Sequence, residues 1–286
     1  MNRILKTLIY NNEISLALLD TTDMVNEAIR LHKLSPLSAA ALGRTMTITT
    51  FMASTLKNAS DKLSVTIKGD GVGGEIVVCG NADLKMRGYI ENPNTYLPLK
   101  ANGHLDVGGC VGKNGRITIV KSMGLKEPYS GTSNLVTGEI AEDFTAYYTF
   151  SEQQPTAISL GVKIGTDGKC VGAGGCVMQA LPGATENSLF MAEDTILRMD
   201  NISTLIEEKS LEEIADYFFG ELKFTETNPE YKCLCSKNYI ESLLISMGKE
   251  ELDQIIKEQG EISVNCQFCE TDYKFNQNDV NKLFKK

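Results

Sequence analysis

Apolar side chains in the first 180 residues fall mostly into short alternating runs. Arg3–Tyr10 and Ile14–Leu19 read as opening strands. Leu63–Lys68, Glu75–Cys79, Lys85–Ile90, Arg116–Lys121, Thr145–Thr149 and Ala157–Val162 continue the theme. The glycine-rich stretch 172–175 leads into a last run, Val177–Leu181, and Leu-Pro-Gly at 181–183 punctuates the end. One long stretch breaks the alternation. Ser35 and Pro36 make an N-cap and first-turn pair for a helix running to about Leu56. Residues 37–56 are rich in apolar side chains yet carry Arg44 and seven Ser/Thr, which suits a buried helix and not a membrane span.

Beyond residue 183 the period changes from two to between three and four. Leu189, Ala192, Ile196 and Met199 form one helical stripe, and Leu211, Ile214, Ala215 and Phe218 form another behind a Ser210/Glu213 capping box. Helices this short are marginal in water by themselves, so they are expected to persist only while their apolar faces are docked. Pro229, the last proline, marks a boundary. Ile240, Leu243, Leu244 and Met247 then recur at helical spacing up to Gly248, and Leu252, Ile255 and Ile256 start a second stripe that Gly260 ends. Ile262 and Val264, then Tyr273 and Phe275, alternate on either side of a Cys-x-x-Cys turn, as in a hairpin.

The pattern implies a mixed α+β fold in three parts. Residues 1–184 form an N-terminal domain with a mainly antiparallel sheet and packed helices, 185–230 a helical acidic linker, and 231–286 a small C-terminal metal-binding domain. Charge sharpens the division. The formal net charge is −9, and residues 186–230 alone hold twelve Asp/Glu against three Lys/Arg, so the remainder is neutral. No basic stripe exists for a phosphate backbone, which argues against a nucleic-acid partner. Nor does an apolar leader or span appear, so a reducing cytoplasm is expected, with clustered cysteines serving metal or redox chemistry.

Two catalytic readings fail on context. Gly69, Gly71 and Gly74 satisfy G-x-G-x-x-G, but the β-rich Glu75–Cys79 follows where a dinucleotide site needs a helix, so a hairpin turn is expected. His32 and His104 are the only histidines, and no G-x-S-x-G elbow is present to build an activated serine. The chain does not read as an enzyme.

The chemistry lies near the end. Cys233 and Cys235 form a Cys-x-Cys pair, Cys266 and Cys269 a Cys-x-x-Cys pair, and thirty residues separate the two. A domain this small has too little core to fold easily alone, and tetrahedral thiolate coordination of one zinc would supply roughly 10–16 kcal/mol toward folding. Four thiolates on a divalent cation are also electron-rich and open to oxidants. Spacing alone leaves two readings open, a permanent structural clip and a redox switch. Cys79, Cys110, Cys170 and Cys176 lie singly and are assigned to packing. A thiol–disulfide oxidoreductase would place Cys-x-x-Cys at a helix start, and a zinc-ribbon nucleic-acid binder would need a basic surface. The last 56 residues hold eight lysines against nine carboxylates.

Several further runs carry a resemblance: Ser35–Arg44 (SPLSAAALGR), Gly103–Gly108 (GHLDVG), Gly124–Tyr129 (GLKEPY), Gly138–Asp143 (GEIAED), Ser151–Pro155 (SEQQP) and Leu181–Ala184 (LPGA). With Cys233-x-Cys235 and Cys266-x-x-Cys269, they make the chain resemble, over nearly its whole length, the bacterial thirty-three-kilodalton chaperonins, the redox-regulated heat-shock holdase family. The resemblance implies that the four cysteines hold zinc in an inactive reduced state. It implies that oxidants form the disulfides Cys233–Cys235 and Cys266–Cys269, that zinc leaves, and that the terminal domain and linker unfold. It further implies ATP-independent binding of unfolded or partly unfolded client proteins by a homodimer, with no nucleic-acid or membrane partner.

Overall fold

The computed structural model describes residues 2–124 and 126–284, so Leu125 of the Gly124–Tyr129 run lies outside the described residues. The chain folds as two compact units, Met1–Tyr231 and Lys232–Lys286.

The first unit opens with strands β1 (Arg3–Ile9) and β2 (Ile14–Asp20) and helices α1 (Thr22–His32) and α2 (Pro36–Ala53). Strands β3 (Lys62–Lys68), β4 (Ile76–Asn81) and β5 (Lys85–Ile90), helix α3 (Val107–Val111), and strands β6 (Arg116–Ser122) and β7 (Tyr129–Asn134) follow. Helix α4 (Ala141–Tyr147) runs into a π-type turn at Tyr148–Glu152, ahead of the long strands β8 (Thr156–Ile164) and β9 (Cys170–Ala180). Helices α5 (Glu186–Arg198), α6 (Ile202–Glu208) and α7 (Leu211–Phe219) come next. Short strands β10 (Thr225–Thr227) and β11 (Glu230–Tyr231) close the unit.

Two sheets result, one of order β10-β1-β2-β9-β8 and one of order β11-β5-β4-β3-β6-β7. All pairings are antiparallel except β11 on β5. Ser35 caps α2, accepting a hydrogen bond from the Ser38 amide, and Pro36 opens the helix as expected. Every α2 residue except Pro36 and Arg44 is buried, since the helix packs on strands of both sheets. Its threonine hydroxyls are satisfied locally: Thr45, Thr47, Thr49 and Thr50 each donate to the carbonyl four residues earlier. The glycines at 69, 71 and 74 lie between the antiparallel strands β3 and β4, so that stretch is a hairpin connection.

Strand β2 is buried on both sides, which explains its nearly unbroken apolar sequence. Ala17 and Leu19 enter the core shared with α2, whereas Leu16 and Leu18 join Leu5, Ile9, Ile14, Cys176 and Met178 beneath α5–α7. The acidic helices therefore dock through Ala192, Met199, Ile202, Ile206, Leu211, Ile214 and Ala215. Helix α6 comes unusually close to the sheet. A Cβ on Gly172 would lie 2.2 Å from the Ser203 carbonyl oxygen, and one on Gly161 would lie 2.8 Å from the Ser203 amide nitrogen. Glycine is needed there because helix backbone meets strand backbone.

The structure corrects two sequence expectations. Thr145–Thr149 is not a strand but the end of α4 and the start of the π-type turn. Phe144, Tyr147 and Tyr148 all face the core, a helical spacing hidden within a β-branched and aromatic run. Asp143 anchors this segment: its carboxylate accepts the amides of Val136, Thr137 and Gly138 on one oxygen and that of Ile140 on the other. The last long strand also starts at Cys170 and not at Val177, taking the glycines into the sheet, because pairing with β2 and β8 overrides glycine's weak strand preference. Helices α1, α3 and α6 and strands β7, β10 and β11 have no counterpart in the sequence pattern.

The second unit holds helices α8 (Lys237–Met247) and α9 (Lys249–Gln259), strands β12 (Ile262–Cys266) and β13 (Thr271–Phe275), and helix α10 (Gln277–Leu283). Gly248 and Gly260 have φ of 93° and 84°, so each ends its helix in a conformation that L side chains resist. Ile240, Leu244, Leu252, Ile262, Phe275 and Val280 make up its buried core. That is little for a unit of this length, and a further staple is expected.

Candidate metal centre

Both arms of the site are set by ordinary local rules. Cys233 and Cys235 lie in the extended segment just before α8, whose N-cap Ser236 accepts a hydrogen bond from the Tyr239 amide. Cys266 ends β12 and Cys269 sits in the turn to β13, where the amides of Cys269 and Glu270 donate to the Cys266 carbonyl at 3.1 and 2.8 Å. Glu270 takes up the turn with φ of 55°. The expected hairpin with its cysteines at the turn is present, with Val264 paired to Tyr273 and Ile262 to Phe275.

The fold brings all four sulfurs together, within 4.8 Å of one another. Cys233 Sγ lies 3.7 Å from Cys266 Sγ, and Cys235 Sγ lies 3.4 Å from Cys269 Sγ. A tetrahedral site with metal–sulfur bonds of about 2.3 Å has sulfur–sulfur edges of about 3.8 Å. The quartet therefore has the size and donor set to hold one thiolate-loving metal ion. All eight cysteines are free thiols in this structure. Both of those approaches run between the arms and are non-bonded contacts.

The electrostatics also call for a cation. Burial pushes the Cys266 thiol above its ordinary value and the Cys233 thiol well above it. Burial raises Cys269 too, but hydrogen bonds with the Thr271 side chain and backbone, and with Cys235 and Cys266, outweigh it and hold that thiol at about 7. Four sulfurs this close cannot all ionise unless a positive ion sits among them.

Two supporting residues escaped the sequence reading in this role. The Tyr273 hydroxyl donates to Cys235 Sγ at 3.2 Å, and that bond pushes the phenol up to about 12. Thr271 Oγ1 lies 3.2 Å from Cys269 Sγ. The sequence marks Tyr273 only as part of the strand alternation, and nothing in the spacing signals that its hydroxyl reaches across to the first arm. The other four cysteines do not join the site. Burial raises the thiols of Cys79, Cys110, Cys170 (to about 12) and Cys176, which keeps them protonated and inert.

Three of the runs that carry the resemblance, Ser35–Arg44, Gly103–Gly108 and Gly138–Asp143, meet at Glu139 inside the first unit. Glu139 accepts Arg44 Nη1 at 2.8 Å, pairs with Lys100, and accepts the Gly108 amide at 3.1 Å. A family model described as Hsp33 protein matches residues 2–276. This chain belongs to the Hsp33 family. Relatives named 33 kDa chaperonin include one from Desulforamulus reducens, 43% identical across 93% of this chain and 91% of its own. Another, from Clostridium acetobutylicum, is 37% identical across 100% and 98%. The crystal structure of the Thermotoga maritima 33 kDa chaperonin superposes with a TM-score of 0.89 at 30% identity, covering 99% of this chain and 97% of that one. Family membership makes the protein a chaperone, a class that binds unfolded client proteins and is not enzymatic. Among the described residues no helix is long and apolar enough to cross a membrane.

Proposed function

We propose that the protein is an ATP-independent holdase switched on by oxidation. The observation that carries this reading is the convergence of four sulfurs in a unit with a small apolar core. Cys233, Cys235, Cys266 and Cys269 would hold one zinc ion, which when bound supplies the charge compensation and cross-linking that fold residues 232–286. Thiolates bound this way remain nucleophilic toward peroxide-type oxidants. Each disulfide removes two electrons from a cysteine pair, and hydrogen peroxide takes them up on reduction to water. The pairs are Cys233–Cys235 and Cys266–Cys269. Both close loops too short to replace the lost stabilisation, so the terminal domain opens once its thiolates are consumed.

The acidic segment 185–230 directly precedes that domain in the chain. Its helices are short and held by side-chain docking, so they are the next element to open. Their release bares the apolar face of β1, β2 and β9, which binds hydrophobic segments of unfolding proteins, while the acidic charge keeps the opened form in solution. The active form is a homodimer working in the cytoplasm.

Peroxide treatment at elevated temperature tests the scheme. About one zinc per chain should be released, four thiols lost, and aggregation of a denatured client suppressed. Retention of the metal with all four thiols oxidised, or oxidised protein that protects no client, would overturn it.

A further inference from the structure

The segment between the last acidic helix and Cys233 does something the helices do not: it closes the edges of two sheets. Strand β10 pairs antiparallel with β1, Thr227 opposite Ile4 and Thr225 opposite Lys6, at one end of the five-stranded sheet. After Asn228 and Pro229, β11 pairs in parallel with β5, Glu230 opposite Lys85 and Tyr231 opposite Met86, at one end of the six-stranded sheet. The Glu230 amide donates to the Leu84 carbonyl at 3.0 Å, and the Tyr231 hydroxyl donates to the Gly88 carbonyl at 3.0 Å. One seven-residue strap, 225–231, thus covers Ile4–Lys6 and Lys85–Gly88.

Its attachment combines backbone pairing with one side chain, Tyr231, which packs against the core and whose hydroxyl lies 3.2 Å from His32 Nε2. Thr225, Glu226, Thr227, Asn228 and Glu230 are exposed, and of the seven only Pro229 is buried, with Tyr231 half-buried. Asn2 donates its side-chain amide to the Pro229 carbonyl, Asn228 returns one to the Asn2 carbonyl, and Arg3 pairs with Glu226. Strands of two and three residues, held by ladder hydrogen bonds, surface polar contacts and one half-buried ring, are weakly stable locally. Only Lys232 separates it from the first metal-site cysteine.

We propose that the strap is a stand-in for client, and that its departure leaves the outer edges of β1 and β5 to be occupied by extended segments of unfolded protein through β-augmentation. The argument is the character of the native occupant. A sheet edge that accepts Thr-Glu-Thr without burying a side chain recognises backbone, and backbone is what all unfolded chains share. Such edges bind almost any extended sequence once bared. The apolar floor beside β1, formed by Leu5 and Ile9, adds a preference for alternating hydrophobic segments. The inference rests on the holdase reading above and adds to it a second mode of contact, directional hydrogen bonding at the edges beside hydrophobic contact on the face.

Residue-resolved amide exchange on the full chain tests it in three states: reduced and zinc-loaded, oxidised, and oxidised with a carboxymethylated, permanently unfolded polypeptide. Amides of Ile4–Lys6 and Lys85–Gly88 that are protected in the first state should exchange more than about tenfold faster in the second and regain protection in the third. Unchanged exchange on oxidation overturns the proposal, because the strap has then not left. So does client held in solution with the edges still unprotected. Protection that returns without client and grows with protein concentration assigns the edges to a second copy of the chain, which also overturns it. Failure of the oxidised protein to hold any client sinks the holdase reading instead, so the two failures are distinguishable. The variant Thr227→Pro, which removes a ladder donor, should raise exchange at Ile4–Lys6 in the reduced state by a similar factor and confer partial client holding without oxidant.

Discussion

Tyr273 donates a hydrogen bond to Cys235 across 3.2 Å, from the second strand of the hairpin to the first arm of the metal site. The bond ties the segment before α8 to β13 through a sulfur. Partners of this kind orient ligands and tune how strongly they bind. Tyr273→Phe should lower zinc affinity by about tenfold, and the site should oxidise faster, since its sulfur loses a donor. Competition with a chromogenic chelator measures the first effect, and thiol loss against time in dilute peroxide the second.

The glycine contact beneath α6 gives a test that leaves the cysteines untouched. In Gly172→Ala the new methyl would lie 2.2 Å from the Ser203 carbonyl, so the helix must lift. Overpacking of this kind costs typically 1–3 kcal/mol, a large fraction of what docks a seven-residue helix. Zinc content should be unchanged while amides of 202–208 exchange faster, and the reduced protein should hold some client. If exchange there is unaltered, the close approach does not matter to docking.

If the quartet holds a metal as proposed, its removal should act on the second unit alone. A chelator strong enough to strip zinc, or the substitution Cys233→Ser, should abolish protection of α8, α9 and the β12–β13 hairpin while β3, β4 and β6 keep theirs. The first unit has its own extensive core. The expected contrast is large, from near-native protection to none, and uniform exchange along the chain would count against it.

Acid should loosen the acidic helices through Arg3. Its guanidinium bonds both Glu212 of α7 and Glu226 of β10, and those bonds hold both carboxyls below the usual glutamate range. A carboxylate whose folded pKa is depressed contributes stability above its unfolded pKa and loses it as pH falls through the folded value. The clamp is therefore intact at neutral pH and weakens below about pH 4. Both carboxylates are well exposed, so the effect should be modest and should shrink further in high salt. Exchange within 211–227 measured between pH 5 and pH 3 checks it, with Arg3→Ala expected to flatten the dependence.

Much of this was legible in the sequence because local signals agreed with the final contacts. The Ser35–Pro36 start, the Ser210/Glu213 capping box, the glycine stops at 248 and 260 and the hairpin around Cys266 and Cys269 each depend on residues a few positions apart. What failed depended on distant partners. The segment 145–149 is helical because Asp143 gathers four amides and three aromatic rings turn inward, facts that no alternation rule contains. β10 and β11 are three and two residues long and exist only by pairing with strands more than a hundred positions away. The cysteine quartet was visible as spacing. Its hydrogen-bond shell was not, since Tyr273 reaches its sulfur only once the tail has folded.

Cys176 lies on β9 within the apolar face that α5–α7 cover, fully shielded and with its thiol pushed far up by burial. The opposite face of the same sheet packs into a separate core, so the strand that carries it stays in register whether or not the helices are present. That makes a native cysteine into an indicator of lid position. Silent toward alkylating reagents in the closed molecule, it should label once the covering helices lift, and mass spectrometry of that one peptide would time the opening without any foreign probe.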